Sequence, residues 1–212
     1  MIDNISLLAQ SAIKIKNNKG KIIYFDPYKI VKNYNDADYI FITHSHYDHF
    51  SEEDLNKVKK NNTKIIVPEE IKEKCRYLGF NDDDILSVMP DKYYYIDEIK
   101  FNTVRAYNGN KDFHKKEYNW VGYIVEIDNK KVYVAGDTDN VEEIRNIKCD
   151  IACVPVGGTY TMTAEEAADL ISEIKPSVAI PIHYKTIVGS VEDAYKFKEL
   201  LDGKVDVLIL MK

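Results

Sequence analysis

Cysteine is nearly missing from this chain. Cys75, Cys149 and Cys153 are the whole supply, an odd number with no Cys-x-x-Cys pair. That argues against a disulfide framework and against a zinc site built on thiolates, and leaves the three as small apolar core residues. Long hydrophobic runs are missing too: no apolar stretch nears the roughly 20 residues of a membrane-spanning helix, so no membrane partner is expected. Met1-Ile2-Asp3-Asn4 lacks the basic start of a secretory signal, and Ser6 and Gln10 interrupt the apolar run behind it, so a cytoplasmic protein is expected. With 9 Gly and 6 Pro in 212 residues there is no Pro- or Ser-rich linker, low-complexity tract or short-period repeat, and a single domain over residues 1–212 is expected. Positive charge is in deficit: 29 Lys and Arg face 35 Asp and Glu, a net charge of −6 that disfavours nucleic acid or an anionic membrane as a partner.

What remains is the composition of a globular protein, 45% hydrophobic and 30% charged. Residues 5–16 read as one strand that returns through the turn Asn17-Asn18-Lys19-Gly20 into Lys21–Phe25 and ends on Asp26-Pro27. Tyr39–Ile42 is a continuously apolar run, the mark of a strand buried on both faces, and it leads straight to His44. Ser51 with Asp54 starts a helix running to about Lys60, and Thr63–Val67 is the next strand. Pro68 opens a helix from Glu69 to Leu78 stopped by Gly79, before strands at Ile85–Val88, Tyr93–Ile96 and Ile99–Ala106. A polar stretch carrying His114 precedes Val121–Ile127, which turns at Asp128-Asn129-Lys130 into Lys131–Ala135 and ends on Gly136-Asp137-Thr138-Asp139. A short helix is expected over Val141–Ile147 and a buried strand over Asp150–Val154. Thr163 with Glu166 caps a helix to Lys175, and Val178–Ile182 delivers His183. Ser190 caps a helix to about Leu201, and Val205–Leu210 closes the chain as a strand. Periodicity alone therefore gives a mixed α/β class.

Thr43-His44-Ser45-His46-Tyr47-Asp48-His49 places three of the five histidines and an aspartate within six positions. A regular strand would point His44, His46 and Asp48 one way and His49 the other, and a helix would scatter all four, so an irregular turn is needed to converge them. Imidazole and carboxylate suit zinc, manganese or iron, and the lack of thiolates favours an open, catalytic type of site over a closed structural one. A solvated loop or a set of hydrogen-bonded core histidines is the competing reading.

His-x-His-x-Asp-His after an apolar strand resembles the signature of the metallo-β-lactamase-fold hydrolases. Asp26-Pro27-Tyr28, Gly136-Asp137-Thr138-Asp139, Pro155-Val156-Gly157-Gly158-Thr159-Tyr160-Thr161-Met162 and Ile180-Pro181-Ile182-His183-Tyr184 follow in that family's order. Together they are similar to its small single-domain branch, which includes the ascorbate-phosphate lactonases. The resemblance implies an αββα sandwich built from two related halves and a centre of two divalent ions, zinc foremost, with manganese or iron as alternatives. It further implies that His44, His46 and His114 hold one ion, that Asp48, His49 and His183 hold the other, and that Asp137 bridges them. Asp48 would orient a bridging hydroxide. The redox members with a di-iron centre carry Glu where this chain has His46, which favours hydrolysis.

The surrounding residues are less determined. Asp26 is either a turn residue or the acceptor for a ligand imidazole. Gly157-Gly158 permits close backbone approach or positive φ. Tyr160, Tyr184 and Lys185 are candidates for oxyanion or phosphate contact, with ordinary packing or surface roles as the alternative. The expected substrate is a small ester, lactone or phosphodiester. A nucleic-acid phosphodiesterase and a metal-binding protein without turnover are the rivals.

Overall fold

The computed structural model describes residues 2–211. The chain divides into two compact units, one ending at Met89 and the other beginning at Pro90. Each is built on one sheet, so the mixed α/β class expected from the sequence is the observed one.

The first unit holds a six-stranded sheet in simple sequential order. Its strands are β1 (Ile5–Ala9), β2 (Ala12–Lys16), β3 (Ile22–Phe25), β4 (Ala37–Phe41), β5 (Lys59–Pro68) and β6 (Ile85–Val88). The single strand expected over residues 5–16 is in fact a hairpin, β1 against β2, because Gln10 takes a φ of 48° and reverses the chain in two residues. The second reversal is legible in the sequence: the Asn17 carboxamide oxygen accepts from the backbone of Lys19 and Lys21, and Gly20 supplies a φ of 82°. From β3 onward the strands are parallel, which brings the carboxyl ends of β3 and β4 to the same edge. Helix α1 (Glu52–Val58) stops before the predicted Lys60, and β5 starts earlier than predicted. The predicted second helix divides into a single turn at Glu69–Ile71 and α2 (Lys72–Tyr77), with Gly79 at a φ of 82° past its end. Leu55 and Val58 of α1 and Cys75 of α2 join Ile40, Ile42, Ile65 and Val67 in one apolar core. Each such fully buried aliphatic side chain contributes roughly 1.5–3 kcal/mol.

The second unit holds a seven-stranded sheet in order β13-β12-β11-β10-β9-β8-β7. Strands β7 (Tyr93–Ile96), β8 (Ile99–Arg105), β9 (Val121–Ile127) and β10 (Lys130–Val134) form an antiparallel meander. Asp128 and Asn129 both take positive φ, 51° and 61°, as a tight two-residue hairpin requires. Strands β11 (Ile151–Pro155), β12 (Val178–Ile182) and β13 (Asp206–Val207) then run parallel to β10. The two units thus share a plan of meander followed by parallel crossovers.

Helix α3 (Ala164–Ile174) opens on the predicted capping box: Thr163 accepts from the Glu166 backbone and Glu166 accepts from that of Thr163. It ends at Lys175 in the left-handed conformation, before Pro176, and buries Ala167, Leu170, Ile171 and Ile174. Helix α4 (Val191–Leu200) follows Ser190, whose backbone donates to Asp193. Two expectations shrink. Val141–Ile147 forms only a single turn at Glu142–Ile144, and the closing strand pairs with β12 over two residues in place of the predicted six. Among the described residues no helix is long and apolar enough to cross a membrane.

Candidate metal-ligating clusters

In the first unit the register of two parallel strands builds the cluster. Phe25 pairs with Phe41, so Asp26, one residue beyond β3, lies beside the chain leaving β4, and its backbone donates to the Phe41 carbonyl at 3.0 Å. Asp26 is fully buried with a φ of 43°. Its Oδ1 accepts from the Thr43 backbone at 2.8 Å, and its Oδ2 accepts from the Thr43 hydroxyl at 2.7 Å and from His49 Nδ1 at 2.8 Å. Asp26 is therefore both a turn residue and an imidazole acceptor, the two readings left open by the sequence. The ligand loop closes as an irregular turn: the His46 carbonyl accepts from the backbones of His49 and Phe50 at 3.0 and 2.8 Å.

These bonds decide which nitrogen each ring can offer. With its Nδ1 proton given to Asp26, His49 presents Nε2, and a carboxylate behind an imidazole also raises its basicity as a ligand. His44 stands alike, its Nδ1 3.0 Å from the Thr43 hydroxyl oxygen, whose own proton goes to Asp26. His44 Nε2 then lies 3.0 Å from His46 Nδ1. Two ligands each about 2.0–2.1 Å from one zinc ion are about 2.9–3.4 Å apart, so this separation fits a shared cation. Asp48 is buried, its Oδ2 3.5 Å from His49 Nε2 and 3.4 Å from Gln10 Nε2. Gln10 is a residue the sequence gives no reason to select; its amide reaches Asp48 because the unforeseen β1–β2 turn brings it there.

In the second unit Asp137 follows β10 and His183 follows β12, while His114 lies in the loop between β8 and β9. His114 Nε2 and His183 Nε2 lie 3.2 and 3.1 Å from one oxygen, Oδ2 of Asp137, and all three residues are buried. Two neutral imidazoles and one carboxylate oxygen at these separations are an oxygen- and nitrogen-donor set of the kind divalent ions accept. His183 has a φ of 56°, and its carbonyl sits so close to Gly157 that a β-carbon there would lie 2.2 Å from it. Gly158 supplies a φ of 84°. The two glycines thus divide the two functions open to them, close approach at Gly157 and positive φ at Gly158. His114 is tied to Asn108, which the sequence reading passed over. Trp120 meets the His114 ring edge-on at 5.5 Å and is buried, as a packing residue.

The three remaining candidates separate. Tyr160 is half-buried, its ring edge-on to Phe113 at 4.8 Å and its carbonyl accepting from Asn108. Lys185 is exposed, with a φ of 67°. Tyr184 is a correction: it is fully buried and its hydroxyl donates to the Met211 carbonyl at 2.6 Å, so its polar atom is spent anchoring the end of the chain. The three cysteines stand apart from both clusters as free thiols, and burial pushes Cys75 and Cys149 up to about 12.

A family model described as the beta-lactamase superfamily domain matches residues 4–183, so it spans both units, and the chain belongs to that family. Its fold is that of the metallo-β-lactamases. Relatives named UPF0173 metal-dependent hydrolase include one from Thermococcus onnurineus, 32% identical over 181 residues, which cover 82% of this chain and 79% of that protein. Another, from Nanoarchaeum equitans, is 32% identical over 98% of this chain and 96% of its own length. Among solved structures, Igni18, a metallo hydrolase of the archaeon Ignicoccus hospitalis, shares the fold with a TM-score of 0.79 at 24% identity, covering 97% of this chain and 93% of that one. The chain is a metal-dependent hydrolase of the metallo-β-lactamase superfamily.

Proposed function

We propose that the two clusters serve one dinuclear centre that hydrolyses a small ester, lactone or phosphodiester in the cytoplasm, with zinc as the first choice of metal and manganese or iron as alternatives. In this reading His44, His46 and His114 hold one ion, Asp48, His49 and His183 hold the other, and Asp137 is common to both. The observation that carries it is the convergence of His114 Nε2 and His183 Nε2 on a single oxygen of Asp137, at 3.2 and 3.1 Å. A carboxylate shared in this way suits a group that neighbours two ions.

Two divalent ions, when bound, supply Lewis acidity toward the substrate and bring the ionisation of water toward neutral pH. The chain's own residues supply orientation. Asp26 and Thr43 hold the His49 and His44 rings with Nε2 presented, and Asp48 is the carboxylate placed to accept or guide a proton. Lactone hydrolysis of a phosphorylated sugar acid is one option within the class, supported by the likeness of the sequence motifs alone. The net charge of −6 supports a small-molecule substrate over nucleic acid, whose phosphates demand clustered Lys and Arg.

The test is elemental analysis of zinc- and manganese-saturated protein, followed by turnover of a panel of a lactone, a phosphodiester and a thioester. Two ions per chain with hydrolysis of one panel member is expected. No more than one ion after saturation defeats the dinuclear centre, and two ions with no turnover on a broadened panel favours the metal-binding protein without catalysis. Nanomolar binding of duplex DNA or RNA at physiological salt promotes the nuclease.

A further inference from the structure

His114 differs from His49 in what stands behind its ring. His49 is backed by a carboxylate, whereas His114 Nδ1 lies 2.9 Å from the carboxamide oxygen of Asn108, which also accepts from the His114 backbone at 3.1 Å. The Asn108 backbone donates in return to the His114 carbonyl at 2.7 Å. The amide could face either way on its own, but its nitrogen is committed. It donates to Asp139 Oδ1 at 3.1 Å and to the Tyr160 carbonyl at 2.9 Å, both of which are acceptors only. Asp139 is itself held by the Gly109 backbone at 3.0 Å and by Lys111, whose ammonium is 2.6 Å from Oδ1 and 2.8 Å from the Thr161 carbonyl. Lys111 therefore donates to the same Asp139 oxygen that the Asn108 nitrogen meets.

We infer that Asn108 is the positioning residue that fixes the His114 tautomer, with the proton on Nδ1 and Nε2 presented to a metal ion, and that Asp139 and Lys111 fix the orientation of the Asn108 amide for that task. The use of the tautomer rests on the dinuclear reading above. The order of dependence runs one way: Lys111 holds Asp139, Asp139 holds the Asn108 nitrogen, and the Asn108 oxygen is thereby left facing His114. An uncharged amide also withdraws less from the Nδ1 proton than the Asp26 carboxylate does at His49. His114 is therefore the less basic donor of the two rings.

The tautomer is read in the zinc-loaded protein, because without a metal ion Asp137 Oδ2, 3.2 Å from His114 Nε2, competes for the same proton. Long-range proton–nitrogen correlation spectra of zinc-saturated, 15N-histidine-labelled protein, assigned by comparison with His114→Gln, should show the His114 proton on Nδ1. A proton on Nε2 with zinc on Nδ1 overturns the inference. Zinc titrations against a chelating indicator then compare wild type, Asn108→Ala and Asn108→Asp. Asn108→Ala should weaken one of two zinc ions by about 10- to 100-fold and leave the other within about twofold. Asn108→Asp keeps an acceptor for the ring and backbone of His114 but sets a carboxylate oxygen against Asp139 Oδ1 and the Tyr160 carbonyl, so it should recover at most part of that loss. Unchanged affinity for both ions in a folded Asn108→Ala protein overturns the inference. Should Asn108→Ala fail to fold, the wild-type spectrum decides. Wild type that takes fewer than two ions defeats the dinuclear reading and leaves the tautomer result standing by itself.

Discussion

The Oδ2 atom of Asp26 accepts the Nδ1 proton of His49 across 2.8 Å, with both side chains fully withdrawn from solvent. Asp26 holds this position at a φ of 43°, a conformation that Asp and Asn tolerate better than most residues. Asp26→Asn should therefore fold, since its remaining oxygen can still accept from the Thr43 backbone. The new amide nitrogen cannot accept from His49. Zinc affinity at one of the two ions is expected to fall by about 10- to 100-fold, the usual cost of losing the group behind a ligand histidine. Chelator competition with circular dichroism on the same preparation measures it, and native dichroism with unaltered affinity removes Asp26 from the site.

Gly157 and Gly158 give opposite expectations for the same substitution. A β-carbon on Gly157 would sit 2.2 Å from the His183 carbonyl oxygen, so Gly157→Ala must move the backbone that carries His183. The expected cost is about 1–3 kcal/mol in urea unfolding, with zinc lost as well. At Gly158 the nearest neighbour of a new β-carbon is Thr163 Cγ2 at 3.8 Å, and the cost is that of an L-residue at a φ of 84°, about 1–2 kcal/mol, with zinc retained. The contrast in zinc content is the test: equal retention by the two variants breaks the link between Gly157 and His183.

The thiols supply a prediction with a defined sign. Burial raises Cys75 to about 12, burial and the Asp150 charge raise Cys149 to about 12, and burial also raises Cys153. A thiol at that value holds roughly a thousandfold less thiolate at pH 8 than an unperturbed one near 8.5, and thiolate is the reactive form. Native protein should consume almost no Ellman's reagent over the time in which urea-unfolded protein titrates three thiols. A single fast-reacting native thiol contradicts this packing.

The candidate ligands could be picked out because strands announce themselves and their ends are countable. Tyr39–Ile42 pointed to His44, and Val178–Ile182 pointed to His183, so the topology had only to bring parallel ends to one edge of each sheet. What escaped was non-local. Asn108 reaches Asp139 and Tyr160, 31 and 52 positions away, through side-chain bonds that no periodicity records. Gln10 read as part of one continuous strand because nothing in Leu8-Ala9-Gln10-Ser11-Ala12 carries the Gly or Asn signature of a tight hairpin; in the structure Gln10 and Ser11 form the turn and are buried. Tyr184 failed in the other direction. Its place beside His183 suggested chemistry, and its hydroxyl instead packs toward Met211.

Asp48 separates chemistry from occupancy. It is buried, with its Oδ2 3.4 Å from Gln10 Nε2 and 3.5 Å from His49 Nε2, beside an imidazole with which a proton could be exchanged. Asp48→Asn keeps the shape of the side chain and removes the charge. Turnover should fall by roughly 100-fold or more, the order expected for losing a positioned acid/base group. At least one ion should still bind, because His44, His46, His49, His114 and His183 all remain. His46→Ala removes instead a ring whose Nδ1 stands 3.0 Å from His44 Nε2, and it should lower metal content and activity together. Metal content, circular dichroism and hydrolysis rate are to be measured on the same preparations of wild type and both variants. Near-wild-type turnover by Asp48→Asn with its metals in place would show that the proton passes elsewhere, whatever the fate of the dinuclear centre. A fall in activity that merely tracks lost metal in both variants would make Asp48 a ligand and nothing more.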